Sequence, residues 1–291
     1  MNVGSFFTIG STHIVCEDYA LHGLNDINEM FAIVSDGCSN GGVRVHTDFG
    51  SRLLCKSAEK HLTLLPHNVE SFKERVITTA ELQVQTYFNM PLACLTATLG
   101  VALQVGDSIH TMLIGDGFIG GKRRDGMWVV YEFEFEQAPY YLKYTLHDEE
   151  QLYFDRFGSL GTRTKWSFLT PDDVEEEVVN FDLRADNHPK HFGLDFSMSD
   201  YEFVFITSDG LSKFHTKEKK GVGVTNVPIP VPQVVPVLFD FRGFQHNFVE
   251  RQCHWAMNTT KPRSISRVLG EHQHFDDMGI GVIYCGEKEE T

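Results

Sequence analysis

The sequence predicts an α+β protein built on mainly antiparallel sheets, and three observations lead there. Short apolar runs that end in turn residues dominate the chain, as strands do. Segments with apolar residues at helical spacing come as a pair rather than one after every strand. The strand candidates on either side of Gly106-Asp107 are separated by a turn too short for a crossover helix, which points away from regular β-α-β alternation.

In chain order, Met30 to Ser35 (MFAIVS) is a short apolar run ending in Asp36-Gly37, which reads as a buried strand and a turn. A Gly-rich turn is expected from Ser39 to Gly42. From Thr47 onward, Phe49, Leu53, Leu54, Ala58, Leu62 and Leu65 outline an amphipathic helix. A second helix is expected over Val69 to Phe88, with Phe72, Val76, Ala80 and Tyr87 on one face. Leu95 to Val105 and Ile109 to Ile114 read as a hairpin. Trp128 to Glu136 alternates aromatic residues with acids, as a strand with one wet face does. Glu202 to Thr207 and Met278 to Cys285 complete the strands. Two stretches look irregular: 137–199, with weak periodicity, and Thr216 to Pro236, where four prolines argue against a central strand or a helix. Both are expected to be surface excursions from one domain spanning 1–291, the first of them flap-like.

Composition limits the function. Of 291 residues, 42% are hydrophobic and 22% charged, which suits a globular chain with a substantial core. A net charge of -15 repels nucleic-acid backbones and anionic lipid, so neither is an expected partner. Six scattered cysteines with no C-x-x-C pair argue against structural zinc and against a disulfide framework. The first residues lack a secretory pattern, and no apolar run approaches the ~20 residues of a membrane span. A cytoplasmic location is the expectation.

The chemistry is expected to lie with the acids. Three apolar strands run directly into Asp-Gly, at Asp36, Asp116 and Asp209, and Asp276-Asp277 precede the last strand. In an antiparallel sheet the start of one strand lies beside the end of its neighbour, so all four positions can share one edge. One Asp-Gly after a strand is usually only a turn. Several carboxylates on one edge repel one another unless cations neutralise them, and oxygen-only ligands suit Mg²⁺ or Mn²⁺. A pair of such ions can lower the pKa of a bridging water and align it for attack on phosphorus. No phosphate-binding loop of P-loop type and no G-x-S-x-G is present.

In their order along the chain, Cys16-Glu17-Asp18, Asp36-Gly37, Gly115-Asp116, Ser208-Asp209-Gly210 and Asp276-Asp277 resemble the motifs of the type-2C metal-dependent Ser/Thr protein phosphatases. The stretch beginning DGCSN resembles a bacterial branch of that family. The resemblance implies an α-β-β-α sandwich of two antiparallel sheets between helix layers. It implies two Mg²⁺ or Mn²⁺ ions, with Asp36 bridging both, the Gly37 carbonyl on the first, and Asp209 and Asp276 on the second. Asp116 would serve a third, weaker ion. Glu17, Asp18 and Asp277 would lie just behind, ordering water. The implied reaction is hydrolysis of phospho-Ser/Thr in proteins by metal-activated water, with a phosphorylated protein as substrate and a cognate Ser/Thr kinase as counterpart.

This sequence departs from the family pattern in places. His13 stands where many members carry a phosphate-binding Arg, and neutral imidazole is a weaker phosphate ligand than a guanidinium. Cys38 follows Asp36-Gly37, where it is expected only to pack. Gly117 replaces the usual Ser after Gly-Asp, and the last motif carries Asp277 instead of Asn, so either Asp276 or Asp277 could be the ligand. His272 and His274, in EHQHFDD, are expected in a solvated loop. A non-catalytic phosphoprotein-binding relative and a phosphatase of small molecules are the alternative readings.

Overall fold

The computed structural model describes residues 2–38, 46–147, 149–185, 188–220 and 223–286. The turn expected at Ser39 to Gly42 lies outside them. Fifteen strands are described: β1 Val3–Thr8, β2 Tyr19–Leu24, β3 Met30–Ser35, β4 Leu99–Val105, β5 Ser108–Ile114, β6 Gly117–Arg123, β7 Trp128–Phe135, β8 Leu160–Phe168, β9 Val174–Asp182, β10 Phe192–Ser197, β11 Tyr201–Thr207, β12 Phe214–Lys220, β13 Gly223–Pro228, β14 His272–His274 and β15 Met278–Tyr284. The helices are α1 Thr47–Glu59, α2 Val69–Gln83, α3 Glu149–Phe157, α4 Val231–Leu238, α5 Phe248–Met257 and α6 Ile265–Leu269.

One sheet has seven strands in the order β1-β15-β11-β6-β7-β8-β9, and a second has five in the order β10-β5-β4-β3-β2. A small third sheet runs β13-β12-β14. Neighbouring strands pair antiparallel. Alternation along each strand sends side chains to opposite faces, and both faces are covered at the centre. On β3, Ala32 and Val34 meet Val204, Ile206 and Ile283 of the larger sheet, forming the core between the sheets. Phe31 and Ile33 face the other way, into α1 and α2 through Leu54, Ala58, Phe72 and Val76. On β11, Phe203 and Phe205 pack under α4 and α5, against Val234, Leu238 and Phe248. The expected α-β-β-α sandwich is therefore the observed one.

The two stretches expected to be irregular are not. The segment 137–199 carries α3, β8, β9 and β10, so β8 and β9 extend the seven-stranded sheet as an edge ribbon. The side chains of β9 (VEEEVVNFD) are mostly exposed, so burial imposes no apolar alternation, and its acids discourage edge pairing with another chain. Thr216 to Pro236 includes most of the β12-β13 hairpin and then α4, which the prolines were expected to forbid. Pro232 lies in the first turn, where no N–H bond is lost. Pro236 does forgo one, and the buried Val231, Val234, Val235 and Leu238 offset it. Among the described residues, no helix is long and apolar enough to cross a membrane.

Candidate active site

The sandwich brings the acids to one edge. Asp36 follows β3, Asp116 joins β5 to β6, Asp209 follows β11, and Asp276 and Asp277 precede β15. The registers Thr207↔Phe118 and Thr207↔Ile280 place the last three strand ends side by side. Backbone approach is close here. Gly115 and Gly117, on either side of Asp116, have φ of +95° and +139°, values that side chains with a Cβ rarely adopt. A Cβ on Gly117 would come within 2.6 Å of the Thr207 carbonyl, so the Gly in place of Ser fits this turn.

Asp36, Asp116 and Asp209 are neighbours. Burial, and then the charges of Asp18, Asp209 and Asp116, hold the Asp36 carboxyl well above the usual carboxylate range. Burial and the Asp209 charge push Asp116 up to about 8. Asp18 is 1% exposed, and neither carboxylate oxygen makes a well-formed hydrogen bond, although Asp36 and Ser208 lie beside it. Burial pushes its pKa up to about 8. Each of these acids is thus costly to ionise as it stands, and a bound cation would reverse that.

Asp276 and Asp277 are divided by the pleat. Asp277 is 2% exposed, and its two oxygens accept the N–H groups of Gly10 at 2.8 Å and Glu17 at 2.5 Å. The Asp276 side chain is 36% exposed and interacts with Asp209 through space. His13 bridges the pair, with Nε2 3.4 Å from Asp276 and Nδ1 3.1 Å from Asp277. Burial opposes a charge on His13, but Asp277, Asp276 and Glu17 outweigh it, so its pKa is raised. Glu17 contributes mainly as a knot: its carboxylate accepts from Thr47 Oγ1, and its carbonyl accepts from Gly37 N–H and Ser51 Oγ. Cys38 faces the Tyr141 hydroxyl.

Two features escaped the sequence reading. Lys213 Nζ lies 3.1 Å from Asp209 Oδ2, and Asp276 and Asp116 add to the field that holds its charge against the cost of burial. The i,i+4 spacing of Asp209 and Lys213 was the available signal. His274 is not in a solvated loop: it lies in β14, 7% exposed, with its ring 4.4 Å from that of Phe214. Its Nε2 donates to the Gly210 carbonyl at 2.9 Å. Burial lowers its pKa to about 4, so it serves as a neutral core residue beneath the Asp209 turn.

Among the described residues, no three His, Cys, Asp or Glu side chains converge into a ready metal cage. Mutual repulsion of the carboxylates works against tighter convergence, and Lys213 already occupies one face of Asp209. The donor set nevertheless suits a hard cation: it is all oxygen, backed by two buried oxygens on Asp18 that lack a well-formed hydrogen bond.

Comparison with known proteins bears on the fold and the family. No curated protein matches the sequence. A bacterial serine phosphatase crystal structure superposes over 100% of both chains, with TM-score 0.55 and 11% identity. An Arg-to-Lys variant of a bacterial serine phosphatase does so over 100% of both chains, with TM-score 0.52 and 12% identity. The serine/threonine phosphatase Stp1 from Staphylococcus aureus covers 98% of this chain and 95% of its own, with TM-score 0.49 and 12% identity. At such identity the first two likenesses show a shared fold. The sequence profile of protein phosphatase 2C matches residues 10–227, three quarters of the chain and most of the acid motifs, and the chain belongs to the protein phosphatase 2C family.

Proposed function

We propose that this chain is a divalent-metal-dependent phosphatase acting on phospho-Ser/Thr in proteins. The observation that carries the reading is the meeting of Asp36, Asp116 and Asp209, with the buried Asp18 beside Asp36 and Asp209 and without a well-formed hydrogen bond. Such a group is stable in ionised form only with cations present. In this reading Asp36, the Gly37 carbonyl, Asp209 and Asp276 would hold two ions, and Asp116 would serve a weaker third. Mg²⁺ or Mn²⁺, when bound, neutralises these carboxylates and acidifies water for attack on phosphorus.

Asp276, not Asp277, is the better ligand, because N–H donors already occupy both oxygens of Asp277. Asp277 instead anchors the segment 10–17, and with it His13. His13 beside Asp276 would offer a ring N–H to a substrate phosphate. The ribbon β8-β9, within the segment that the sequence marked as a flap, would shape the protein substrate's approach. A phosphorylated protein, delivered by a Ser/Thr kinase in the cytoplasm, completes the proposal.

The test is hydrolysis of an aryl phosphate by the purified protein with added Mn²⁺. Turnover should stop with chelator and be lost in Asp209→Asn. Turnover that survives Asp209→Asn would refute the site. The contacts of His13 with Asp276 and Asp277, and the ion pair of Lys213 with Asp209, favour one competing reading: a non-catalytic module that binds phosphoprotein. Absence of turnover on aryl phosphate and phosphopeptides with either metal, with phosphopeptide binding retained, would establish that reading. Comparing phosphopeptides with small phosphate esters separates a protein phosphatase from a small-molecule one.

A further inference from the structure

We infer that the chain carries a second anion site, for a phosphate monoester dianion, in the cleft between α5 and the loop connecting it to α4. The cleft has a volume of about 150 Å³ and is lined by Arg242, Arg251 and Arg263, with Asp240, Phe241 and Trp255. Three guanidinium groups against one carboxylate leave a local charge of about +2, on a chain whose net charge is -15. Arg263 and Asp240 are only loosely paired, at 3.9 Å. Arg242 and Arg251 have no ion pair or side-chain hydrogen bond among the described residues.

Chemistry selects the ligand. Guanidinium forks present paired N–H donors that match the oxygens of a tetrahedral oxyanion, and the charge of the lining matches a dianion. A wall is available for the ester group. The Trp255 indole is fixed by its N–H bond to the Pro262 carbonyl at 2.8 Å, and the residue remains 40% exposed. Phe241 continues that wall.

The cleft is separate from the acid cluster. The Phe241 ring packs 5.0 Å from that of Phe203, near the start of β11, whereas Asp209 follows the end of that strand. The six residue steps from Phe203 to Asp209, at about 3.3 Å each, put the two sites roughly 20 Å apart along the sheet. Occupancy of the cleft therefore leaves the acid edge open.

The experiment is calorimetric titration of the whole chain, in chelator, with inorganic phosphate and with a phosphoserine peptide beside its unphosphorylated form. Saturable binding is expected in at least one arm, weakened about tenfold or more by Arg242→Ala with Arg251→Ala, and unchanged by Asp209→Asn or His13→Ala. Tighter binding of inorganic phosphate identifies a free small anion as the source. Tighter binding of the phosphopeptide, absent for its unphosphorylated form, identifies a phosphorylated chain. Lack of saturation in both arms overturns the inference, as does binding that the arginine variants leave intact or that Asp209→Asn removes. Should the double variant fold poorly by circular dichroism, Arg251→Glu alone gives the same comparison.

Discussion

Replacing Asp18 by Asn should stabilise the metal-free protein while weakening its response to metal. Asp18 is fully buried, lacks a well-formed hydrogen bond and faces the Asp36 carboxyl. Burial pushes its pKa from 3.8 to about 8 in the folded chain. Because the folded value is the higher, the fold carries no penalty from this acid below the unfolded pKa. The penalty grows as pH rises from 3.8 and is complete above about 8. At pH 7 the difference corresponds to about 4 kcal/mol, at roughly 1.4 kcal/mol for each pH unit above 3.8. Asp36 and Asp209 share the load, so the part that Asp18 alone carries is about 2–4 kcal/mol.

Asparagine keeps the shape without the charge, and its amide can donate to the Asp36 carboxylate or to Ser208. In chelator at pH 7, Asp18→Asn should melt roughly 5–10 °C above wild type. The gap should close as the pH is lowered toward 4. Saturating Mn²⁺ should raise the wild-type melting temperature, by about 2.7 kcal/mol of stability at a hundredfold excess over Kd, and raise the variant's by less. Scanning calorimetry at pH 4, 5.5 and 7, with and without Mn²⁺, reads all of this. A metal-free variant less stable than wild type at pH 7, or a gap that persists at pH 4, would show that Asp18 is not a buried charge awaiting a cation.

Three further outcomes are expected. Asp277→Ala should cost about 2–5 kcal/mol in urea unfolding, because it orphans the N–H groups of Gly10 and Glu17, whereas Asp276→Ala should cost less than 1 kcal/mol and instead weaken Mn²⁺ binding. Lys213→Gln should tighten Mn²⁺ by up to about fivefold in thermal-shift titration, since a partly exposed ion pair of roughly 0.2–1 kcal/mol no longer competes for Asp209; unchanged affinity would mean that Lys213 swings clear on its own. Gly50→Ala should destabilise the chain by about 1–3 kcal/mol despite the better helix propensity of Ala, because the added Cβ would sit 1.7 Å from the Cys94 carbonyl oxygen; a raised urea midpoint would contradict the close packing of α1.

What the sequence made legible follows from burial. β3, β11 and β15 are covered on both faces, so each is a continuous apolar run that no other element imitates. The carboxylates at their ends were equally legible, because Asp-Gly after such a run marks both the end of the strand and the edge of the sheet. β9 was not legible, since an exposed edge strand is under no pressure to alternate. α4 was hidden by prolines whose cost only its packing against the larger sheet makes tolerable. His274 looked like part of a wet loop because a neutral buried imidazole and a solvated one have the same letter; only its contacts with Phe214 and Gly210 separate them.

The adjacent acids before β15 show how the site divides its labour. Consecutive residues entering a strand point to opposite sides, so two chemically identical carboxylates meet opposite surroundings. Asp276 opens toward Asp209 and His13. Asp277 turns inward and holds Gly10 and Glu17, and Glu17 in turn receives Thr47 at the start of α1, Ser51 one turn later and the Gly37 N–H beside Asp36. One acid outside the proposed metal set thus fixes the N-terminal segment, the first helix and the turn after β3 in a single hydrogen-bonded chain. A neutral amide at position 277 would put an NH₂ group in place of one acceptor oxygen, so the Gly10 and Glu17 N–H groups, which bond to different oxygens, could not both keep their present bonds. The second aspartate therefore suits its place through its two acceptors, and the His13 ring lies 3.1 Å from it.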